Sequence, residues 1–187
     1  TEELDSLVYK LNDSKCFSFD TETDSLDTYS ANLIGLSFCM EEGEAYYIPL
    51  QHMYLGVPQQ LDLKIALNAL DPIFADVSKI KIAHNFKFDE KVLSRYGVNI
   101  AGSIHDTMIM SYIVRSSGRH SMDSLSNEYL GVETTPYTDI VGTGKKQLTI
   151  DMIDIDIVSK YASEDADITL RLYSYFDKIL NNTPELN

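Results

Sequence analysis

The spacing of hydrophobic residues changes along this chain, and these changes predict helices and strands in a mixed order. The first hydrophobic positions recur at helical spacing and predict a short amphipathic helix, formed around Leu4, Leu7, Val8 and Leu11. Three segments typical of strands follow, at residues 15–20, 32–40 and 45–50. The polar, glycine-containing link at 41–44 predicts a hairpin between the second and third strands.

From residue 61 onward, helical and strand-like segments alternate. A helix is predicted over 61–74, where Pro72 either bends the helix or starts a second one. A strand at 79–83 leads into another helix that ends at Gly97, since glycine commonly terminates helices. This alternation is typical of a sheet whose strands are connected by helices.

The third quarter of the chain is predicted to be less regular. A brief strand at 104–105 is followed by Asp106, a favourable N-cap for the next helix. Another helix is predicted over 122–130 and should end at Gly131. The polar stretch 131–147 contains Pro136 and three glycines, Gly131, Gly142 and Gly144, and is predicted to be a long loop.

The last segment of the pattern begins ambiguously. Isoleucines at 153, 155 and 157 alternate as in a strand, whereas Ile150, Ile153, Ile157 and Tyr161 also fit a helix. We favour a helix that continues to about residue 180. Strands first in a meander and then alternating with helices predict an α/β domain, with a mixed sheet flanked by helices.

Composition predicts an ordinary globular domain. The 187 residues are 44% hydrophobic and 24% charged, which favours a single domain spanning 1–187. We expect no membrane association, because no apolar run approaches about 20 residues. The first residues contain no signal-peptide pattern and no initiator Met, so we expect a piece of a longer protein. Cys16 and Cys39 match no metal-ligand spacing and favour buried thiols in a reducing, cytoplasmic location.

Two acidic residues at the end of the first strand are the leading candidates for chemistry. Phe17 and Phe19 point to one face of this strand, so Asp20 and Glu22 share the opposite face. Neighbouring carboxylates at the end of a buried strand repel each other and resist desolvation. A divalent cation between them would offset both costs, although acidic residues two apart also occur elsewhere in this acid-rich chain.

Two further motifs follow the acidic pair along the chain. Asp89 lies on the first turn of a predicted helix, where an acid alone would usually complement the helix dipole. Tyr161 and Asp165 are four residues apart and share one helical face. Each motif is weak by itself, whereas their order along the chain is specific.

This order resembles the 3′→5′ exonucleases whose motifs read Asp-x-Glu, then Asp, then Tyr-x-x-x-Asp. More closely, the chain is similar to the proofreading domains of the bacterial DNA polymerase I family, the family A polymerases. The similarity extends from about residue 4 to 180, and its clearest segments are 19–26, 30–33, 118–120, 122–125 and 161–167. The position five before Asp165 is Lys160, not His, which favours the tyrosine subclass of the DEDD superfamily.

The resemblance implies a ribonuclease-H-like fold and two divalent metal ions, Mg²⁺ or Mn²⁺. By analogy, Asp20 bridges both ions, Glu22 and Asp165 hold the ion that activates water, and Asp89 serves the second ion. Tyr161 would orient the water, since a phenol with an ordinary pKa of about 10 is a poor base at neutral pH. Carboxylate oxygens suit Mg²⁺ or Mn²⁺ better than Zn²⁺.

The same resemblance implies substrate contacts and partners. Leu26 would wedge against the terminal base, Tyr137 would stack on the substrate, and Asn85 and Arg119 would contact the sugar-phosphate backbone. For Leu26 and Tyr137, simple packing is an open alternative. The implied substrate is a single-stranded or frayed 3′ DNA end, the product a nucleoside monophosphate, and the partner a polymerase domain of the same parent chain, close to the nucleoid.

The net charge of −14 conflicts with general nucleic-acid binding, which favours a basic surface. Local basic groups are present at Arg115, Arg119 and His120 and at Lys145 and Lys146. Two other functions stay open: an RNA 3′-exonuclease of the ribonuclease D type, and a catalytically silent domain for single-strand binding or scaffolding.

Overall fold

The computed structural model describes residues 1–183, and a mixed five-stranded sheet forms the centre of this part of the chain. The strands are β1 Cys16–Thr23, β2 Leu33–Glu41, β3 Glu44–Pro49, β4 Ile80–Ala83 and β5 Ser103–Asp106. The helices are α1 Glu2–Asp13, α2 Leu63–Ala75, α3 Phe86–Arg95, α4 Thr107–Val114, α5 Met122–Leu125, α6 Tyr137–Val141 and α7 Ile155–Asn181. The predicted α/β class is therefore confirmed.

The acidic strand β1 lies in the middle of the sheet, whose order is β3-β2-β1-β4-β5. The first three strands form an antiparallel meander, whereas β4 and β5 run parallel to β1. The parallel strands are reached through helices, as parallel connections require. The carboxyl ends of β1, β4 and β5 consequently meet at one edge of the sheet.

Alternation along β1 separates the hydrophobic core from the acidic face. Phe17 and Phe19 pack with Phe38 and Phe74 on the side of α1 and α2, and the Phe19 and Phe74 rings meet edge to face at 5.1 Å. On the opposite side, Ser18 Oγ donates to the carbonyl oxygen of Ala166 in α7 at 2.6 Å. Residues 20 and 22 share the face of Ser18, so their carboxylates point towards α7.

Several predicted boundaries change in the structure. β1 continues beyond residue 20 to Thr23, because its pairing with β2 persists as far as Leu33. Pro72 lies inside α2 and does not divide it. The long loop predicted at 131–147 contains the short helix α6, which begins directly after Pro136, and a 3₁₀ turn at Gly144–Lys146.

The continuous helix predicted from residue 150 is wrong at its start. Ile150–Met152 forms a 3₁₀ turn, and Ile153 is extended. α7 begins only after Asp154, whose side chain accepts a hydrogen bond from the Asp156 N–H at 2.9 Å. Both Ile150 and Ile153 are buried, so the apolar pattern reflects core packing here and not one regular helix.

Two further expectations concern the chain as a whole. Over residues 1–183, no helix is long and apolar enough to cross a membrane. Both cysteines are free thiols within this described part, with Cys39 buried in β2.

Candidate active site

A cleft of about 660 Å³ opens at the carboxyl edge of the sheet, where β1 and β4 end. It contains every acidic residue and the tyrosine of the predicted motifs, which lie on three different elements. These site residues are Asp20, Glu22, Asp89, Tyr161 and Asp165.

Asp20 and Glu22 of β1 face Asp165 of α7. One carboxylate oxygen from each of these three residues lies within 4.8 Å of the others. The contact between Ser18 and the α7 backbone holds the strand against the helix just before the acids begin. The sequence prediction that Asp165 joins the strand pair is thus matched by the geometry.

Burial makes this acidic cluster costly when it is fully ionised. Glu22 is 6% exposed and Asp165 is 8% exposed. Desolvation raises the pKa of Asp20, Glu22 and Asp165 well above the usual range, and the negative charge of neighbouring carboxylates raises each pKa further. Oε1 of Glu22 is buried and has no hydrogen-bond partner among residues 1–183. A buried, unpartnered oxygen facing two other carboxylates fits a bound cation.

Asp89 approaches the same cleft from the first turn of α3, apart from the three-residue cluster. Its Oδ1 accepts hydrogen bonds from Oγ1 of Thr21 at 2.6 Å and from the Thr21 N–H at 3.2 Å. Desolvation raises the pKa of Asp89 to about 7, although these Thr21 hydrogen bonds lower it. Thr21 therefore ties Asp89 to the strand segment between Asp20 and Glu22.

Tyr161 lies one helical turn before Asp165 on α7. Desolvation, and then the negative charges of Asp165, Glu22 and Asp20, raise the pKa of its hydroxyl above the usual range. The phenol consequently stays protonated at neutral pH and can donate a hydrogen bond. The ring of Tyr137 lies nearby, with 6.3 Å between the ring centroids.

The structure places three of the four predicted substrate contacts at the cleft. Leu26, Asn85 and Tyr137 all line it. Leu26 is 91% exposed, so packing does not explain its position in the described structure. Arg119 is exposed and lies outside the cleft lining formed by the described residues.

Two residues of the predicted basic group around Arg119 already contact other side chains in the described structure. Arg115 forms a bidentate ion pair with Glu128, with 2.7 Å between Nη2 and Oε2. His120 is buried and its ring stacks on Tyr112. By contrast, the turn that carries Lys145 and Lys146 borders the cleft through Gly144 and Gln147.

Known proteins resemble this chain in sequence and in fold. The model of a 3′–5′ exonuclease family matches residues 1–181.

The chain belongs to the 3′–5′ exonuclease family.

Curated relatives of this 3′–5′ exonuclease are DNA polymerases I. The chain is 45% identical over 186 residues to that of Pseudomonas aeruginosa, covering 98% of this chain and 20% of the relative. It is 38% identical over 188 residues to that of Rhizobium leguminosarum, covering 91% of this chain and 18% of the relative. The chain therefore spans about one fifth of the length of the relatives that it matches.

A solved structure confirms the ribonuclease-H-like fold of this exonuclease. RNase D from Trypanosoma brucei superposes with a TM-score of 0.74 at 17% identity, covering 94% of this chain and 61% of that chain. At this identity, the similarity concerns the fold.

Sequence reasoning missed two contacts that support the candidate site. Thr21, between the two acids, holds Asp89. Beside Glu22, the cross-strand partner Gly35 leaves space that the Tyr47 hydroxyl fills. This phenol is hydrogen-bonded to His52 Nε2 at 2.8 Å. The sequence signal was Gly35 itself, a glycine in the strand that follows the acidic motif. Which side chain fills the space beside it was not predictable, because Tyr47 lies on another strand.

Proposed function

We propose that this chain is a proofreading domain that hydrolyses the terminal phosphodiester bond at 3′ ends of DNA. It would release nucleoside 5′-monophosphates and use two divalent ions, Mg²⁺ or Mn²⁺. The observation that carries the proposal is the cluster of Asp20, Glu22 and Asp165, whose oxygens lie within 4.8 Å of one another.

The acidic residues divide naturally between two ions. Asp20, Glu22 and Asp165 would hold one ion, and the unpartnered Oε1 of Glu22 is available to it. Asp89 would hold the second ion together with Asp20, because its Oδ1 is engaged by Thr21 while Oδ2 is left for a ligand. When bound, such a pair of ions activates water and stabilises the attacking and leaving oxygens of an in-line displacement.

Tyr161 would position the attacking water and not deprotonate it. Its raised pKa keeps the hydroxyl protonated at neutral pH, so the group is a hydrogen-bond donor throughout the working range. The Ser18 hydroxyl holds the same part of α7 against the acidic strand through its hydrogen bond to the Ala166 carbonyl oxygen. Tyr161 would thus supply orientation, which can account for a large share of a catalytic rate.

The cleft offers contacts suited to an unpaired 3′ end. The exposed Leu26 would wedge against the terminal base, and Tyr137 would stack on a base of any identity. Asn85 would contact the sugar-phosphate backbone close to Asp89. Arg119 would contact the same backbone further out, which requires the strand to extend beyond the cleft.

DNA is the favoured substrate because the relatives at 38–45% identity are DNA polymerases I. We propose that residues 1–187, of which 184–187 lie outside the described residues, form one exonuclease domain of such a polymerase, acting near the nucleoid. A polymerase domain would supply much of the cationic grip that a chain of net charge −14 lacks. The separate chain should bind DNA weakly, and its affinity should fall with salt.

The test uses a 3′-labelled single-stranded DNA oligonucleotide with Mg²⁺ or Mn²⁺. We expect mononucleotide release by the wild-type chain, and loss of release in Asp20→Ala, Asp165→Ala and Asp89→Ala. The same assay with an RNA oligonucleotide as competitor distinguishes DNA from RNA preference. Absence of mononucleotide release at every metal concentration would refute the proposal, and metal binding without release would then favour the silent domain.

A further inference from the structure

One carboxylate outside the acidic motifs supports two helix starts at once. Oδ1 of Asp106, at the end of β5, accepts hydrogen bonds from the backbone N–H groups of Met108 at 2.9 Å and Ile109 at 3.4 Å. These bonds cap α4, as the sequence predicts. The same carboxylate also accepts from the N–H groups of Asn85 at 3.0 Å and Phe86 at 2.9 Å.

The hydrogen bonds from Asn85 and Phe86 to Asp106 take the place of a side-chain N-cap on α3. Asn85 is the N-cap of α3, but its side chain makes no capping hydrogen bond in the described structure. The first N–H groups of a helix have no partner within the helix, and a carboxylate is the strongest acceptor for them. Asp106 provides that acceptor from the neighbouring strand, because the β4–β5 pairing sets Ala83 opposite Asp106.

The turn that Asp106 holds has a demanding backbone conformation. Asn85 has φ 67° and ψ 45°, and among residues 1–183 it is the one non-glycine residue with positive φ. This left-handed region disfavours most residues with a Cβ, although Asn tolerates it better than most. The turn directs the Asn85 side chain into the cleft and starts the helix whose first turn carries Asp89.

We propose that Asp106 is a positioning residue for the exonuclease site. By clamping the N–H groups of Asn85 and Phe86, it fixes the left-handed turn and thereby the places of Asn85 and Asp89 relative to Asp20. This inference rests on the proposed exonuclease function and adds a residue that is not part of the cleft lining formed by the described residues.

The test separates the clamp from ordinary helix capping. In Asp106→Ser, we expect the hydroxyl to keep capping α4, since Ser is as good an N-cap as Asp. Serine lacks the second oxygen, which accepts from Phe86, and its single oxygen is one bond closer to its own backbone and so further from Asn85. We expect a smaller loss of Tm than in Asp106→Ala, because the α4 cap is kept, a kcat on the 3′-labelled oligonucleotide reduced about 10–100-fold, and a smaller change in KM. Asp106→Ala should lose both stability and kcat.

Asp62 provides the matched control. It caps α2 through the N–H groups of Lys64 at 2.9 Å and Ile65 at 3.1 Å, on the side of the sheet away from the cleft. Asp62→Ala should lower Tm without changing kcat. Hydrogen exchange gives a readout independent of activity: in Asp106→Ser, the amides of Asn85 and Phe86 should lose protection, whereas those of Met108 and Ile109 should keep it.

The outcomes are distinguishable. An active wild-type chain with a fully active Asp106→Ser variant would overturn the clamp and leave the proposed function standing. Unchanged exchange at Asn85 and Phe86 in that variant would also overturn it. An inactive wild-type chain would overturn the proposed function, and the inference that rests on it would fall as well.

Discussion

Replacing Glu22 with glutamine should stabilise the metal-free protein while removing its activity. Glu22 is 6% exposed, and its carboxylate lies within 4.8 Å of ligand oxygens of Asp20 and Asp165. At an effective dielectric constant of about 20, two full charges no more than 4.8 Å apart repel by at least about 3.5 kcal/mol. Because the folded protein escapes part of this repulsion by taking up a proton, we expect a net stabilisation of about 1–3 kcal/mol at pH 8.

The stabilisation should depend on pH in a definite direction. The pKa of Glu22 is raised in the folded protein by desolvation and by the charges of Asp20 and Asp165, whereas the unfolded chain ionises near its ordinary pKa of about 4.3. As pH rises above that value, the unfolded chain loses a proton that the folded protein keeps, so the free energy of unfolding falls. The gain from Glu22→Gln should therefore be larger at pH 8 than at pH 5.

The assay is thermal unfolding in EDTA and in Mg²⁺, at both pH values. A gain of about 2 kcal/mol corresponds to a Tm increase of about 4–8 °C for a chain of this size. Mg²⁺ should raise the Tm of the wild type more than that of Glu22→Gln, because ligand binding stabilises only the protein that binds it. Glu42→Gln, in the exposed β2–β3 turn, is the matched control. It should change neither the Tm in EDTA nor the increase in Tm caused by Mg²⁺. A lower Tm for Glu22→Gln in EDTA at pH 8, or an equal Mg²⁺ response, would refute this reasoning.

Three other predictions test separate parts of the site. Tyr161→Phe should lower kcat about tenfold or more with little effect on KM, since it removes a hydrogen-bond donor but keeps the ring; an unchanged kcat in steady-state assays would exclude a role for the hydroxyl. Gly35→Ala should cost about 1–3 kcal/mol in urea unfolding, because the new Cβ would lie 2.1 Å from the Tyr47 hydroxyl, and unaltered stability would contradict this packing. Thr21→Val should raise the pKa of Asp89, which is about 7, by removing a hydrogen bond that lowers it. An NMR titration of the Asp89 carboxyl carbon in the metal-free protein should show the higher pKa, and an unchanged value would show that the Thr21 hydroxyl does not lower it.

The acidic motifs were predictable from sequence because their geometry is local. Alternation along β1 separates Asp20 and Glu22 from the phenylalanine core, and the helical spacing places Tyr161 and Asp165 together. The mixed sheet was predictable from the order of the elements, in which a meander of strands is followed by strands that alternate with helices. These are regularities of strands and helices, which short stretches of sequence determine.

The supports of the site were not predictable in the same way. Asp106 was predicted as the cap of α4, but its bonds to Asn85 and Phe86 depend on the register between β4 and β5. The contact of Thr21 with Asp89 likewise depends on where α3 packs against the sheet. At residues 150–153, buried isoleucines suited several local structures, and the cap at Asp154 decided between them.

The central claim is that this cleft binds two divalent ions through its carboxylates. The most direct measurement is anomalous diffraction from crystals soaked in Mn²⁺ and a nucleoside 5′-monophosphate. The account predicts two manganese peaks, one contacting Asp20, Glu22 and Asp165, and the other contacting Asp20 and Asp89. Saturating Mn²⁺ that leaves these carboxylates without a peak, or that binds only elsewhere on the chain, would contradict it.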